Sequence, residues 1–255
     1  VLSTSLIELH DHDALVAFTD GHPVARWNHS ARRFQQAWGL GRAACFTAGG
    51  RFGRILMVFG DHEDAERLTS TALTVVNTGD DVALDMVVVP RGAAGPGRER
   101  FVPRHEWEWF WTTEVPAHRP GEAAVEQLDT DDVAVADELT ELLRASSPAT
   151  SALPGDPTVD SWYGVRDTAG ALVACAAESE RSSEVPNLRA IAVRPDLRGR
   201  GVGADVTARV MRVGFDAGAP AVTLGMYSDN DTARGMYERL GFRMGQAFTT
   251  WIARA

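Results

Sequence analysis

Apolar positions in this chain repeat with two periods, and the longer period is clearest near the C-terminus. Val202, Val206, Val210, Val213 and Ala217 recur every three to four residues, which predicts an amphipathic helix over 202–217. Ala233, Met236, Tyr237 and Leu240 form a second such stripe, closed by Gly241, a residue suited to the left-handed end of a helix. Asp131 or Asp132 can cap a third helix running to about Arg144, before a loop rich in Ser, Pro and Gly at 146–157. Between these stripes lie apolar runs of strand length: 162–166 and 171–177 with a turn at 167–170, then 188–193, 221–227, and a last strand or pair within 242–252. The order is helix, three strands, helix, strand, helix, strand, an α/β layer with its most unusual residues near the middle.

The first half is less regular. Segments 43–48 and 54–59 flank the turn GGRFG as a hairpin, 63–73 has helical spacing, and 82–89 is a strand. Trp107, Trp109 and Trp111 alternate with Glu106, Glu108 and Phe110, so a strand there carries three indoles on one face. Packing is the expected role of those rings, with the wall of an acceptor pocket as the alternative. Two prolines and a glycine in PAHRPGEA break the pattern within 116–130, predicting domains at 1–120 and 121–255. The fold class is therefore α/β in the α+β sense: a mixed central sheet flanked by helices, preceded by a second α+β domain.

Composition excludes several functions. The 255 residues carry a net charge of −10, with 12 Arg and 15 acidic residues in 1–120 and 13 and 20 in 121–255, so phosphate backbones and anionic membrane surfaces are repelled overall. Neither nucleic acid nor a membrane is an expected partner. All 25 basic residues are arginine, which removes chemistries that need a lysine amine, such as P-loop phosphate binding and Schiff-base catalysis. No run approaches the roughly 18 apolar residues of a membrane span, and VLSTSLIELH lacks the pattern of a signal peptide. Cys45 and Cys175 have no metal-spaced neighbours and read as buried thiols, which together predict a cytoplasmic protein. All seven histidines lie in the first half. His10 and His12, beside Asp11 and Asp13, would share a strand face, but no third or fourth ligand is recognisable and no metal is expected.

The segment most informative about chemistry is 187–203, NLRAIAVRPDLRGRGVG: an apolar strand, a proline turn, and an Arg- and Gly-rich loop entering a helix. Gly199, Gly201 and Gly203 leave room for successive backbone N–H groups to converge on an anion at a positive helix end. Arg198 and Arg200 can add charge-assisted hydrogen bonds. The spacing lacks the third glycine of G-x-G-x-x-G, so this is not the dinucleotide fingerprint.

Arg198-Gly199-Arg200-Gly201-Val202-Gly203 resembles the R/Q-x-x-G-x-G/A motif of the GNAT N-acyltransferase superfamily, and the strand before it resembles that family's L-x-x-I-A-V-x-P segment. NDTARGMYERLGF, residues 230–242, is similar to the family's N-x-x-A-x-x-x-Y-x-x-x-G-F helix. The resemblance covers about 127–252 and leaves the first half open as a degenerate copy of the same fold, as in tandem GNAT or glycine N-acyltransferase-like enzymes. It implies direct acyl transfer from acetyl-CoA, or another acyl-CoA as co-substrate, to the primary amine of a small molecule. Ile191, Ala192 and Val193 would then line the pantetheine arm, with the Val193 N–H polarising the thioester. Arg198, Gly199, Arg200, Gly201, Val202 and Gly203 would hold the pyrophosphate, and Asn230 and Ala233 would lie along the cofactor arm. Tyr237 would protonate the leaving thiolate. Many relatives carry a Glu on the 188–193 strand, where this chain has no acid; Glu178 is the candidate base, with Glu180 and Glu184 behind it. A peptide or protein acceptor, a non-catalytic acyl-CoA sensor and a homodimer are the further expectations.

Overall fold

The structure, a computed structural model, describes residues 5–28, 34–50, 53–76, 83–150, 152–179 and 185–254. It is a mixed α/β fold whose chain divides into two compact units. Unit 1 comprises 1–110, 226–230 and 244–255; unit 2 comprises 111–225 and 231–243.

Unit 2 opens with a 3-10 turn at Pro120–Ala124 and strand β7 (Val125–Leu128). Helix α4 (Val133–Ser146) follows, its first turn capped by Asp132, whose side chain accepts from the Ala134 N–H. Strands β8 (Val159–Arg166), β9 (Leu172–Ser179) and β10 (Asn187–Val193) then run antiparallel. Helix α5 (Val202–Asp216) crosses over to β11 (Val222–Tyr227), which pairs with β10 in parallel. The strand order in this unit is β11-β10-β9-β8-β7. β9 is buried at all eight positions, as a central strand covered on both faces must be, and small residues there let the helices approach. Leu139, Leu142 and Leu143 of α4 pack on Trp162, Cys175 and Ala177 on one face. Helix α6 (Asp231–Arg239) ends in the turn containing Gly241, whose φ of 91° suits glycine alone.

In unit 1, β1 (Ile7–Leu9) precedes two short helices, α1 (His12–Phe18) and α2 (Pro23–Trp27). β2 (Phe34–Leu40), β3 (Ala43–Gly50) and β4 (Gly53–Gly60) are antiparallel. Helix α3 (His62–Val76) crosses to β5 (Met86–Pro90), parallel to β4. The long β6 (Phe101–Thr112) and the C-terminal β12 (Arg243–Ala253) complete the order β1-β2-β3-β4-β5-β12-β6. Strand, helix, three antiparallel strands, crossover helix and parallel strand thus occur in both units in the same sequence.

Several expectations change in detail. The 82–89 strand is observed as β5 at Met86–Pro90; Val82 lies outside the described residues, as do Arg51 and Phe52 of the GGRFG turn. The stretch 116–122, read as an interdomain break, is fastened to α5. Arg212 Nη2 donates to the Pro116 carbonyl at 3.0 Å, and Arg212 Nε donates to Glu122 at 2.9 Å. The expected single cut at 120/121 differs from the division observed, because 244–255 pair with unit 1: Phe248 to Ile252 lie opposite Pro90 to Met86. Such a partner, well over a hundred residues away, leaves no local trace in sequence. His12 begins α1 and is not on a strand; Asp11 caps that helix and His12 Nε2 contacts the Ala25 carbonyl oxygen at 2.8 Å.

Candidate active site

The site is assembled in unit 2 by a defect in its sheet. β10 pairs with β11 only at Asn187–Thr223 and Leu188–Leu224, and beyond Leu188 the parallel ladder stops. On its other edge β10 keeps its bonds to β9 at Ala192–Cys175 and Val193–Ala174, but the register slips between Arg189 and Ala192. Ala190 sits in that slip with φ at 50°, a left-handed conformation unfavourable for any residue with a Cβ. A bulge of this kind re-aims the backbone groups that follow it. Ile191, Ala192 and Val193 therefore present an edge toward β11 that no strand among the described residues occupies, which is where an amide-rich arm could add as a strand.

At the end of β10 the chain turns through Pro195–Leu197, tethered by Arg194, which donates to Asp196 at 2.8 Å and to Asp167 of the β8–β9 hairpin at 3.2 Å. Gly199 and Gly201 follow with φ of 76° and 89°, and Gly201 is the N-cap of α5. The first amides of a 15-residue helix, Val202 and Gly203 among them, have no intrahelical acceptor and carry the positive end of its dipole. Gly203 is small for a packing reason. A Cβ there would lie 3.2 Å from Val193 Cγ2 and 3.4 Å from Met236 Sδ, so glycine lets β10, α5 and α6 meet.

The two arginines of the loop differ in role. Arg198 donates from Nη2 to the Ser146 carbonyl at 2.7 Å and from Nε to the Val193 carbonyl at 3.3 Å, so its side chain ties the loop to α4 and β10. Arg200 is exposed.

Tyr237, on the turn of α6 next to Met236, is buried and packs edge-on against Phe242 with ring centroids 5.9 Å apart. Burial pushes its phenol well above the ordinary tyrosine value, which keeps it protonated. Ala233 is half-buried on the same helix, one turn earlier, and Asn230 is exposed immediately before it. Glu178 lies at the end of β9 opposite Leu188, the level at which β10 and β11 part. It is fully buried, and the Tyr163 hydroxyl donates to it at 3.3 Å. Glu180 and Glu184 lie outside the described residues. Among the described residues no group of three or more His, Cys, Asp or Glu side chains is placed to bind a metal ion. None of the described helices is long and apolar enough to cross a membrane.

The indoles divide. Trp107 Nε1 donates to Thr250 Oγ1 at 2.9 Å and its ring lies 5.0 Å from that of Phe248, while Trp109 is buried in unit 1. Trp111, in unit 2, lies under the Arg243 guanidinium at 6.0 Å.

A mixed sheet with a parted parallel pair, a glycine loop and a crossover helix frames this site, and known proteins share the arrangement. Residues 124–242, a little under half of the chain, match the acetyltransferase (GNAT) family. Solved structures with a similar fold include a GNAT-family protein from Novosphingobium aromaticivorans DSM 12444, with 22% identity over 94% of this chain and 96% of that one and a TM-score of 0.54. Others are GCN5-related N-acetyltransferases from Sphaerobacter thermophilus (14% identity, 85% and 80% coverage, TM-score 0.52) and Kribbella flavida (15%, 94% and 96%, 0.51). At these identities the likeness is one of fold.

Proposed function

We propose that unit 2 transfers an acyl group, acetyl foremost, from coenzyme A to the primary amine of a small molecule by direct attack in a ternary complex. The observation that carries this reading is the loss of β10–β11 pairing beyond Leu188 beside a bulged β10 edge and the glycine loop at the start of α5. Pyrophosphate on the α5 amides and pantetheine along Ile191 to Val193 would bring the thioester to the parted strands, where orientation lowers the barrier. The Val193 N–H would polarise the carbonyl, and Tyr237 would return a proton to the leaving thiolate. Thiol release measured with acetyl-CoA and a panel of amines tests the reading; saturable release with a small amine is expected, and no release with any acceptor would defeat it.

Glu178 is the proton acceptor in this proposal, supported by its place opposite Leu188 and opposed by its complete burial. Glu178→Gln should lower kcat with CoA affinity nearly unchanged. An unchanged kcat would give the carboxylate a purely structural role with Tyr163. The same burial favours a second reading, a module that binds acyl-CoA without turnover. Tight acetyl-CoA binding with no thiol released to any amine or peptide would establish it.

We also propose that unit 1 is a degenerate copy of the same fold. Its support is the shared element order and the parallel β4–β5 pair bridged by α3. Where unit 2 has glycine and arginine, unit 1 has Asp61, Glu63 and Asp64 at the start of α3, and Asp64 accepts from the Arg42 N–H at 2.8 Å. Carboxylates there repel phosphate, so this copy would not bind the cofactor.

A further inference from the structure

Arg119 lies upstream of every recognised motif, in the stretch that reads as a domain break, yet its side chain reaches the cofactor loop. Its Nε donates to Asp205 Oδ1 at 2.7 Å, and Asp205 is in the first turn of α5. Its Nη2 lies 3.3 Å from the point a Cβ on Gly201 would occupy, directly beside the N-cap of that helix. Three features fix it there. The Arg119 N–H donates to Glu122 at 2.7 Å, Glu122 is itself gripped by Arg212, and Gly121 leaves room for Asp205, whose Oδ2 would lie only 2.2 Å from a Cβ at that position. Asp205 uses one edge of the guanidinium. Among the described residues neither Nη has a protein acceptor, and the side chain remains 36% exposed.

A preordered, partly solvated guanidinium beside a helix N-terminus is what a phosphate oxygen requires: charge, planar donors and little entropy left to lose. We propose that Arg119 is a further cofactor-binding residue that donates from its Nη groups to a phosphate of coenzyme A. The inference rests on the cofactor reading of the 198–203 loop and extends the site across 116–122. It also gives Asp205 a function as the residue that orients Arg119. Gly201 becomes doubly constrained, since a side chain there would be strained at its positive φ and would press on the guanidinium.

The phosphate could be the pyrophosphate or the 3′-phosphate of the ribose, and calorimetry with CoA and dephospho-CoA separates them. Arg119→Ala should weaken CoA binding by about tenfold or more, with Arg119→Lys intermediate, and wild-type affinity should fall with added salt more steeply than that of the Ala variant. A loss confined to CoA assigns the contact to the 3′-phosphate; an equal loss for dephospho-CoA assigns it to the pyrophosphate. CoA affinity and salt dependence unchanged in Arg119→Ala would overturn the proposal while leaving the loop assignment intact. Wild-type protein that binds neither nucleotide would instead overturn the cofactor reading itself. Should the Ala variant fail to fold, Arg119→Gln places an amide N–H near the position of Nε, where it can keep the Asp205 hydrogen bond while removing both Nη groups, and the same comparison applies.

Discussion

At the scale of single residues, burial holds protons in place. Tyr237 illustrates this, because desolvation raises its pKa above the ordinary 10.0 and keeps the phenol protonated at physiological pH. Removing the hydroxyl should cost only the proton. Tyr237→Phe is expected to lower kcat by about 10²-fold with CoA affinity nearly unchanged, and the wild-type enzyme should lose no activity from tyrosine ionisation as pH approaches 10. Rate and calorimetric titration of the variant check this; full turnover would show that water supplies the proton. The loop glycines and Tyr237 were legible in sequence because a motif keeps its chemistry local. The buried state of Glu178 was not, since alternation along β9 says which face a residue takes but not whether that face is covered. Burial likewise raises the thiol of Cys175 to about 12, in keeping with its reading as an inert core residue.

Among elements, α5 is the organiser: its first turn meets Arg119, and its third holds Arg212 against Glu122. Burial works to raise the Glu122 carboxyl, but the Arg212 hydrogen bonds and the Arg119 N–H outweigh it and leave the pKa below its usual 4.5. A depressed carboxylate pKa stabilises the fold fully above that value, and the stabilisation is lost as pH falls through the lower folded-state pKa. Acid unfolding should therefore begin below about pH 4.5 and be blunted in Glu122→Gln. Arg212→Ala leaves a carboxylate buried without its cation and should cost on the order of 3 kcal/mol in urea unfolding at neutral pH. A loss under about 0.5 kcal/mol would mean that water replaces the guanidinium. The helices and strands of unit 2 were readable because each is long enough to show its period. Strand β7 escaped notice at four residues, as did the five-residue α2, because neither completes enough repeats to stand out from a loop.

For the whole molecule, the consequence is that unit 1 is completed by residues from the far end of the chain. The C-terminal strand β12 follows the last family match at 242, yet it pairs with β5 over Phe248 to Ile252 and places Phe248 and Trp251 in the core of unit 1. Trp107, which sequence placed on an indole-bearing strand, closes over the same strand through Thr250 and Phe248. No periodicity could reveal this, because β12 has the alternation of any half-buried strand and pairing partners are chosen in three dimensions. A chain shortened to 121–255 would lose Arg119, the Pro116 anchor of Arg212 and every partner of β12 in unit 1. Its exposed strand edge and large apolar side chains are an aggregation template. Expressed alone, 121–255 should be insoluble or self-associated, whereas co-expression with 1–120 should restore a soluble complex that binds CoA. Light scattering of the fragment alone decides the matter: a soluble, monodisperse 121–255 with full CoA affinity would show that unit 1 is dispensable to the fold of unit 2 and that Arg119 is dispensable to its site.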